Sequence, residues 1–396
     1  MKTRLLLGLA FATLATTAHA FETRATAAYV IDQGTGTVLL SKNANQPMPP
    51  ASMSKLMTLY MTFEAIADGR LSPDDMLPVS SHAASFGGST MFLDTTDRVS
   101  VEDLIRGIIV LSGNDACVVL AEAISPDGTE AGFARMMTDR AQQLGMDDSV
   151  FKNSSGWPAD GHVMSMRDLA ILAERLIEDF PTYYPLFAET EFAFDGRAPA
   201  NTRNRNSLLG MNIGVDGLKT GHTREAGYGL TGSAEQDGRR VIFVVTGLDT
   251  AAQRAEESER LVSWAFRQFA EKEVGAAGTQ IAEAPVWMGA ETSVGLTLPK
   301  DLTILAPMLG EDSLEATVDY TGPIEAPIAA GDTLAELVVR FEGLPETRYP
   351  LVAGADIPRG GFMPNMRRAA TVLLEKAGIT DALDAAAEEL APDEAS

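Results

Sequence analysis

The sequence predicts an α/β domain followed by a small C-terminal all-β domain. Residues 27–40 contain two short β-type runs around Gly34-Thr35-Gly36, the middle of the chain has helical spacing, and β character returns after Gly214. The order of sheet, helical insertion, sheet and helix is typical of an α/β domain with a terminal helix on its sheet. Residues 281–356 then show short alternating apolar runs separated by turn signals, which predict the all-β domain.

The elements of the first domain follow in order from local patterns. The two runs at 27–40 predict a hairpin. Pro50 precedes a stretch in which apolar residues recur at helical spacing, so we expect a helix over 52–67. The same spacing predicts helices at 101–111, 114–124, 129–144, 165–178 and about 250–270. Ser165 and Asp168 have the spacing of a capping signature at the start of the fourth of these.

Composition sets the expected domain boundaries. The first domain is expected to cover residues 21–272, because small and charged residues at 271–278 are typical of a linker. The all-β domain covers 281–356, and an amphipathic stretch with an acidic, Ala-rich end covers 357–396. A chain of 396 residues is long enough to bury a separate core in each domain.

The charge and the cysteine count exclude several classes of function. The net charge is −24, and the 31 Lys and Arg residues form no dense basic stripe, so nucleic acid is not expected as a partner. Cys117 is the only cysteine, which excludes an intrachain disulfide and a zinc-cysteine cluster. No partner for His82 or His162 is evident, so neither a metal nor a cofactor is predicted.

The first twenty residues have the pattern of a cleaved secretory signal. Lys2 and Arg4 precede an apolar run, and Ala18-His19-Ala20 matches a small-x-small cleavage site. A membrane anchor is the alternative, but the apolar run of about 11 residues is shorter than the ~20 that a spanning helix needs. Cleavage changes the net charge from −24 to −26 because two basic residues are removed. We expect a mature protein outside the cytoplasm, soluble or peripherally attached to the membrane.

Three short motifs that carry chemistry stand in order: Ser52-Met53-Ser54-Lys55, Ser112-Gly113-Asn114 and Lys219-Thr220-Gly221. On a helix, Ser52 and Lys55 share one face with Cβ atoms about 5–6 Å apart, so the amine can take the hydroxyl proton. Lysine acts as a base when desolvation or a second cation lowers its pKa, and Lys219 is a candidate for that cation. The first motif is therefore predicted to hold a nucleophile with its base.

Each motif also has an ordinary structural interpretation. Ser52 suits a helix cap and Lys55 a solvated helix face, while the other two motifs suit a turn and a strand end. Ser149-Val150-Phe151-Lys152 and Ser41-Lys42-Asn43 match the same short patterns elsewhere in the chain. The interpretation as an active site therefore depends on the three motifs occurring together and in order.

With these motifs the chain resembles the low-molecular-mass penicillin-binding proteins of the serine D-alanyl-D-alanine carboxypeptidase family. The resemblance runs from about Ala27 to Ala355 and includes the stretches PPASMSKLMT, LSGNDAC, NSSGWPADGHVMSMRDLA, NRNSLL, VDGLKTGHT and APIAAGDTLAELVV. It implies a serine DD-peptidase/β-lactamase-like fold, in which helices flank a five-stranded antiparallel sheet, followed by a β-rich accessory domain. It also implies a periplasmic location.

The resemblance assigns catalytic roles to the first two motifs. Ser52 attacks the carbonyl of the penultimate D-alanine and becomes acylated, with Lys55 as general base. Ser112 relays the proton to the departing D-alanine nitrogen. Asn114 holds Lys55 and the substrate amide in place.

The third motif is implied to bind the substrate. Lys219 attracts the terminal carboxylate and Thr220 adds a hydroxyl donor. The backbone N–H groups of Ser52 and of His222, which follows Gly221, form the oxyanion hole.

Further residues match family positions that support the site. They are Asp168, Arg205 and Arg254, together with His222. A purely structural role is the alternative for each of them, since Asp168, for example, suits the first turn of its helix, where an acid favours the dipole. Cys117 is expected to be a small apolar filler on a buried helix face.

The end of the chain fits the family pattern only in part. Residues 362–377 have an apolar helical face with basic residues nearby, which suits peripheral contact with a membrane. That face is poor in aromatic residues, and six acids without a base follow from Asp381, which anionic lipid would repel. Packing on another protein is the competing interpretation.

The predicted function is a serine DD-carboxypeptidase that trims peptidoglycan stem peptides ending in D-Ala-D-Ala and is acylated by β-lactam antibiotics. A DD-endopeptidase that cuts peptidoglycan cross-links and a non-catalytic binder of cell-wall peptide or β-lactam remain alternatives. A serine β-lactamase shares the three motifs, but no Glu-x-x-Leu-Asn-type segment lies between Ser112 and Lys219.

Overall fold

A computed structural model describes residues 21–198, 200–308, 315–341 and 344–361. The predicted signal at 1–20 and the amphipathic stretch at 362–377 lie outside the described residues. The chain divides into two compact units. The first reaches to Ala270 and includes two short later segments that begin at Leu305 and Phe341, and the second contains the rest of the chain beyond Glu271.

Among the described residues, seven strands lie wholly in the first unit. They are β1 (Ala27–Asp32), β2 (Val38–Lys42), β3 (Met76–Pro78), β4 (Arg98–Ser100), β5 (Val215–Thr223), β6 (Gly227–Gln236) and β7 (Arg239–Leu248). Five of them form one antiparallel sheet in the order β2-β1-β7-β6-β5, and β3 pairs with β4. The five-stranded antiparallel sheet implied by the family resemblance is therefore confirmed.

Seven α-helices of the described part of the chain flank this sheet. They are α1 (Lys55–Ala67), α2 (Ser81–Ala84), α3 (Val101–Arg106), α4 (Asn114–Ile124), α5 (Glu130–Gln143), α6 (Met166–Asp179) and α7 (Ala251–Arg267). Short 3-10 turns cover Ala51–Ser54 and Tyr184–Ala188. At the start of α6, the Ser165 side chain accepts a hydrogen bond from the Asp168 N–H, as the capping signature predicts.

The helix predicted at 101–111 is present, but its second half is π-helical rather than α-helical. Helix α3 stops at Arg106, and Gly107–Leu111 form a π-helical turn that ends at Ser112. Met91 packs closely on Gly107, where an added Cβ would lie 2.1 Å from the Met91 sulfur, so any side chain at this position would displace Met91. The wider turn leads into the second motif, and π turns are frequent at functional sites.

The core lies on both faces of the five-stranded sheet. Successive side chains of a strand point to opposite faces, and β1 shows this because Ala27 and Tyr29 join one apolar cluster whereas Ala28 and Val30 join the other. The first cluster includes residues of α1, α4 and α6, and the second includes residues of α7. A sheet covered on both faces explains why β7 is almost continuously apolar.

The remaining strands are β8 (Phe269–Gly275), β9 (Gln280–Trp287), β10 (Ser293–Thr297), β11 (Leu302–Pro307), β12 (Glu315–Tyr320), β13 (Ile324–Glu325), β14 (Thr333–Arg340) and β15 (Thr347–Ala353). Six form a sheet in the order β12-β14-β15-β10-β9-β13, and β8 pairs with β11. The stretch at 271–278, predicted as a linker, thus belongs partly to β8, because its backbone pairs with a strand distant in sequence. No helix in the described part of the chain is long and apolar enough to cross a membrane.

Candidate active site

The first motif lies where the 3-10 turn Ala51–Ser54 passes into α1. This change of helix type places the Lys55 Nζ 2.8 Å from the Ser52 Oγ, to which it donates a hydrogen bond. Lys55 also donates to the Ser155 carbonyl at 2.7 Å. A serine hydroxyl within hydrogen-bond distance of an amine has the geometry that a nucleophile and its base require.

Burial prepares Lys55 to act as a base. The side chain is fully buried, and desolvation lowers its pKa from the ordinary 10.5 to about 8. Cys117 and Asp115 oppose this shift, whereas the Arg205 guanidinium adds to it. Desolvation is thus the main cause, and the Arg205 guanidinium is a neighbouring cation that lowers the pKa of Lys55 further. Lys55 and Lys219 also repel each other, as the sequence suggested.

Ser112 lies in the second motif with an unusual backbone conformation. Its φ of 63° and ψ of 36° fall in the left-handed region, which a non-glycine residue seldom adopts. Its Oγ is buried and has no hydrogen-bond partner among the described residues. A buried hydroxyl without a partner carries a free-energy cost, so this one is available to a substrate group or a transferred proton.

Asn114 begins α4, and its hydrogen bonds in the structure are made to the loop at residues 87–89. Its side-chain amide donates to the Gly87 carbonyl at 2.8 Å, and its backbone N–H donates to the Ser89 carbonyl at 2.7 Å. Among the described residues no hydrogen bond joins it to Lys55, which donates to the Ser52 hydroxyl and the Ser155 carbonyl. Asn114 therefore fastens the loop at residues 87–89 beside the site.

The third motif lies on the edge strand β5. Gly221 lets this strand approach the turn Ala51–Ser54 that carries Ser52, because an added Cβ would lie 2.9 Å from the Pro50 carbonyl oxygen and 3.1 Å from the Met53 Cγ. Lys219 is buried, and its Nζ donates to the Thr220 carbonyl at 3.3 Å. Desolvation, and then repulsion from Lys55, lower the pKa of Lys219 well below its ordinary value.

A cavity of about 670 Å³ brings these motifs together. Its lining includes predicted site residues from all three motifs and from the supporting set, namely Ser52, Ser112, Arg205, Thr220, Gly221, His222 and Arg254. Arg205 donates to the Ser89 Oγ at 2.7 Å. Arg205 and Arg254, expected to support the site, thus line its wall directly.

The cavity region has a strong excess of positive charge. Lys219 and Arg254 are buried, and desolvation lowers the pKa of Arg205 and of Arg254. In the described part of the chain none of these three cations pairs with a carboxylate. Ala251 and Ala252 also line the cavity, so the positive end of the 17-residue helix α7 faces it. The arrangement is suited to bind an anionic group such as a carboxylate.

Tyr228 is a cavity residue that no sequence motif indicates. It pairs with His222 across β5 and β6, and the two rings stack with centroids 3.8 Å apart. Both residues line the cavity. Only the register of the two strands reveals the pair, because the residues carry no motif of their own.

Asp168, by contrast, does not line the cavity. It is buried in the first turn of α6, where its carboxylate accepts hydrogen bonds from the Asp148 N–H at 2.9 Å and the Ser149 Oγ at 2.7 Å. Burial raises its pKa. The structural alternative applies to Asp168, and Ser149 of the second Ser-x-x-Lys match is a partner of that carboxylate.

His82 and His162 both have partners that the sequence did not reveal. The Lys152 N–H donates to Nδ1 of His162, so the neutral ring carries its proton on Nε2 and donates it to the Ser54 Oγ at 2.8 Å. Burial lowers the pKa of His162 to about 4. His82 pairs with Glu130.

No group of residues suited to hold a metal ion occurs within the described ranges. Cys117 lies in the apolar core.

Two family models match the chain. One, described as D-alanyl-D-alanine carboxypeptidase, matches residues 14–250, and another, described as penicillin-binding protein 5, C-terminal domain, matches residues 269–359. The D-alanyl-D-alanine carboxypeptidase DacF of Bacillus subtilis is 34% identical over 87% of this chain and 88% of that protein. The enzyme DacA of Escherichia coli K12 is 35% identical over 84% of this chain and 83% of that protein.

Solved structures show the same similarity. Penicillin binding protein 5 from Haemophilus influenzae matches with a TM-score of 0.73 and 34% identity, over 86% of this chain and all of that one. Penicillin-binding protein D2 from Listeria monocytogenes, solved in an ampicillin-bound form, matches with a TM-score of 0.56 and 34% identity. That match covers 62% of this chain and 98% of the Listeria chain.

Proposed function

The chain belongs to the D-alanyl-D-alanine carboxypeptidase family of serine peptidases, and we propose that Ser52 is its nucleophile and Lys55 its general base. The enzyme is thus a serine DD-carboxypeptidase, whereas the roles of individual residues are inferred from the geometry. The observation that carries the assignment is the 2.8 Å hydrogen bond between the Lys55 Nζ and the Ser52 Oγ, made by a lysine whose pKa is lowered to about 8. A non-catalytic binder has no need of such a pair.

The substrate is a peptidoglycan stem peptide that ends in D-Ala-D-Ala. Its terminal carboxylate would bind the unpaired cations, with Lys219 and the Thr220 hydroxyl as the donors from β5 and with Arg205 and Arg254 completing the positive wall. Binding of a carboxylate offsets the cost of burying these cations, which explains why no carboxylate of the described residues pairs with them. The scissile carbonyl would then lie beside Ser52.

Acylation proceeds by proton transfers that balance within the site. Neutral Lys55 takes the proton of the Ser52 Oγ as this oxygen bonds to the carbonyl carbon of the penultimate D-alanine. The oxyanion accepts hydrogen bonds from the backbone N–H groups of Ser52 and His222. As the C–N bond breaks, the leaving nitrogen takes a proton from the Ser112 Oγ, which in turn takes one from Lys55. Free D-alanine and an ester on Ser52 result.

In deacylation a water oxygen is the nucleophile and the Ser52 oxygen is the leaving group. A water oxygen bonds to the ester carbonyl carbon while Lys55 accepts the water proton. The C–O bond to Ser52 then breaks, and the Ser52 oxygen takes a proton from Lys55. The products are the shortened peptide acid and the regenerated hydroxyl.

β-Lactams would acylate the same serine. A relative of similar sequence is known in an ampicillin-bound form. A β-lactam carries a carboxylate and a reactive amide carbonyl, so the positive wall suits the first group and Ser52 the second.

Catalysis would reside in residues 21–272, with the β-rich domain at 281–356 as an accessory. Export to the periplasm through the 1–20 signal, and peripheral membrane contact through 362–377, remain predictions from sequence.

The direct test is D-alanine release by the exported form, residues 21–396. The chain is incubated with diacetyl-Lys-D-Ala-D-Ala beside a Ser52→Ala control, and fluorescent penicillin labelling is followed in parallel. We expect D-alanine release and labelling by the parent and neither by the variant. Release by the variant would remove Ser52 from its role. Labelling of the parent without release would favour an endopeptidase, which cross-linked muropeptide dimers would reveal by falling to monomers.

A further inference from the structure

Lys55 is held by a turn that a buried carboxylate fixes from behind. Its Nζ donates to the Ser155 carbonyl, and the preceding residue, Ser154, donates to Oε1 of Glu130 from its N–H at 3.0 Å and from its Oγ at 2.7 Å. The Glu130 side chain is only 9% exposed. Glu130 Oε1 therefore holds Ser154 in place. Ser154 directly precedes Ser155, whose carbonyl accepts the hydrogen bond from Lys55.

The rest of the turn is held at its other groups. The Thr58 Oγ1 of helix α1 donates to the Ser154 carbonyl at 2.5 Å. The Oδ1 of Asn153 accepts backbone hydrogen bonds from Gly156 and Trp157 at 2.8 and 3.1 Å. Without Glu130, the N–H and Oγ of Ser154 would lose their partner while still buried, so the turn would shift to satisfy them.

The second oxygen of Glu130 faces outward. Its Oε2 lies 2.9 Å from the Nε2 of His82, whose side chain is 52% exposed. The two carboxylate oxygens therefore have separate partners: Oε1 serves the turn behind Lys55, and Oε2 meets a surface residue. Neither Glu130 nor Ser154 lines the 670 Å³ cavity, so substrate does not contact them there.

We propose that Glu130 is a positioning residue of the reaction: it holds Ser154, sets the position of the Ser155 carbonyl, and thereby directs the Lys55 Nζ at the Ser52 Oγ. The inference rests on the proposed function, in which Lys55 takes the Ser52 proton. Proton transfer requires hydrogen-bond distance, and a displacement of about 1 Å in a reacting group can cost roughly 100-fold in rate. Glu130 therefore acts on the chemical step and not on binding.

The test compares Glu130→Ala with Glu130→Gln in the chain 21–396. Glutamine keeps an oxygen that can accept both hydrogen bonds of Ser154, whereas alanine keeps none. We expect Glu130→Ala to lower kcat for D-alanine release by about 10- to 100-fold with KM changed less than about threefold. Glu130→Gln should recover most of the lost kcat. The rate of penicillin labelling should likewise be lowest in Glu130→Ala and recover in Glu130→Gln.

Two matched variants separate positioning from a general loss of stability. Asp179→Ala removes a partly buried carboxylate that accepts from Tyr60, which is also on α1. His82→Ala removes the contact to Oε2 together with an edge contact to the Phe86 ring, and leaves the contacts of Oε1 in place. Both should keep the parental kcat, and thermal unfolding shows which variants are folded at the assay temperature. Parental kcat and labelling rate in folded Glu130→Ala would overturn the inference, as would folded Glu130→Gln with the same deficit as Glu130→Ala. A parent that labels but releases no D-alanine would count against the proposed function, while its labelling rates would still test Glu130.

Discussion

The Nη2 of Arg254 donates a hydrogen bond to the backbone carbonyl of Arg205 at 2.8 Å. This contact joins the first turn of α7 to the segment before β5, so that two guanidinium groups from distant parts of the chain line one cavity. Repulsion from Arg205 contributes to the lowered pKa of both Lys55 and Lys219. The structure thus keeps like charges close together in a place where an anionic substrate group would relieve their repulsion.

Replacing Lys219 should weaken recognition of the terminal carboxylate. We expect Lys219→Ala to raise KM for diacetyl-Lys-D-Ala-D-Ala or to lower the acylation rate, by about 10-fold or more, because a charge-assisted hydrogen bond contributes roughly 1.5–3 kcal/mol. Steady-state kinetics and the rate of penicillin labelling measure the effect. A substrate amidated at its C-terminus is the control, since it should distinguish the parent from the variant much less. Undiminished acylation of Lys219→Ala would show that another cation receives the carboxylate.

Activity should rise with pH through the pKa of Lys55. Because burial lowers this pKa to about 8, the neutral amine that accepts the Ser52 proton increases about tenfold per pH unit below that value and levels off above it. We expect kcat at saturating substrate to rise with pH in the same way as the fraction of neutral Lys55. Saturating substrate is used because its bound carboxylate then pairs with Lys219. Lys55→Arg should be inactive at every pH, because a guanidinium does not lose its proton in this range. A flat profile between about pH 6 and 9 would exclude Lys55 as the base.

Sequence reasoning predicted the features that depend on short spacing. Ser52 and Lys55 are three residues apart, so helical periodicity alone places them on one face, and the cap formed by Ser165 follows in the same way. Contacts between distant residues were not predictable. The Ser155 carbonyl reaches Lys55 across 100 positions, and the packing of Met91 on Gly107 accompanies a π turn where the local pattern predicted continuous α-helix.

Long-range contacts also give two of the predicted site residues partners that the sequence did not indicate. Asn114 was expected to hold Lys55, yet its amide donates to Gly87, which belongs to a loop without any motif. Asp168 was expected near the catalytic centre, yet its partners are Asp148 and Ser149. In both cases the residue type is compatible with several partners, and only the fold selects one of them.

The close approach of β5 to the turn that carries Ser52 makes Gly221 a sensitive position. An added Cβ would lie 2.9 Å from the Pro50 carbonyl oxygen, which is backbone and cannot rotate away. We expect Gly221→Ala to displace the turn that carries Ser52, to lower the rate of penicillin labelling about tenfold or more, and to destabilise the fold by about 1–3 kcal/mol. Gly361→Ala is the control, because a Cβ there meets nothing within 4 Å. Parental labelling by Gly221→Ala would mean that the turn and the strand can separate without cost.

Burial of His162 should make stability depend on pH in the acid range. Desolvation, with a smaller contribution from the ammonium groups of Lys55 and Lys152, lowers its pKa from 6.5 to about 4. Between these values the unfolded chain binds more protons than the folded chain, so the contribution is complete above pH 6.5 and is lost as the pH falls through 4. A shift of this size corresponds to about 3 kcal/mol in the free energy of unfolding.

Urea unfolding of the parent, His162→Gln and His82→Gln at several pH values between about 7 and 4 measures this dependence. Glutamine at 162 does not titrate, so we expect its stability to fall less steeply with acidification than that of the parent, even if it is lower at neutral pH. His82→Gln is the matched histidine replacement at an exposed position, because 52% of the His82 side chain is accessible. Parallel curves for His162→Gln and the parent would show that other groups cause the acid sensitivity. They would also mean that protonation of Nδ1, which removes the acceptor of the Lys152 N–H, does not destabilise the folded chain.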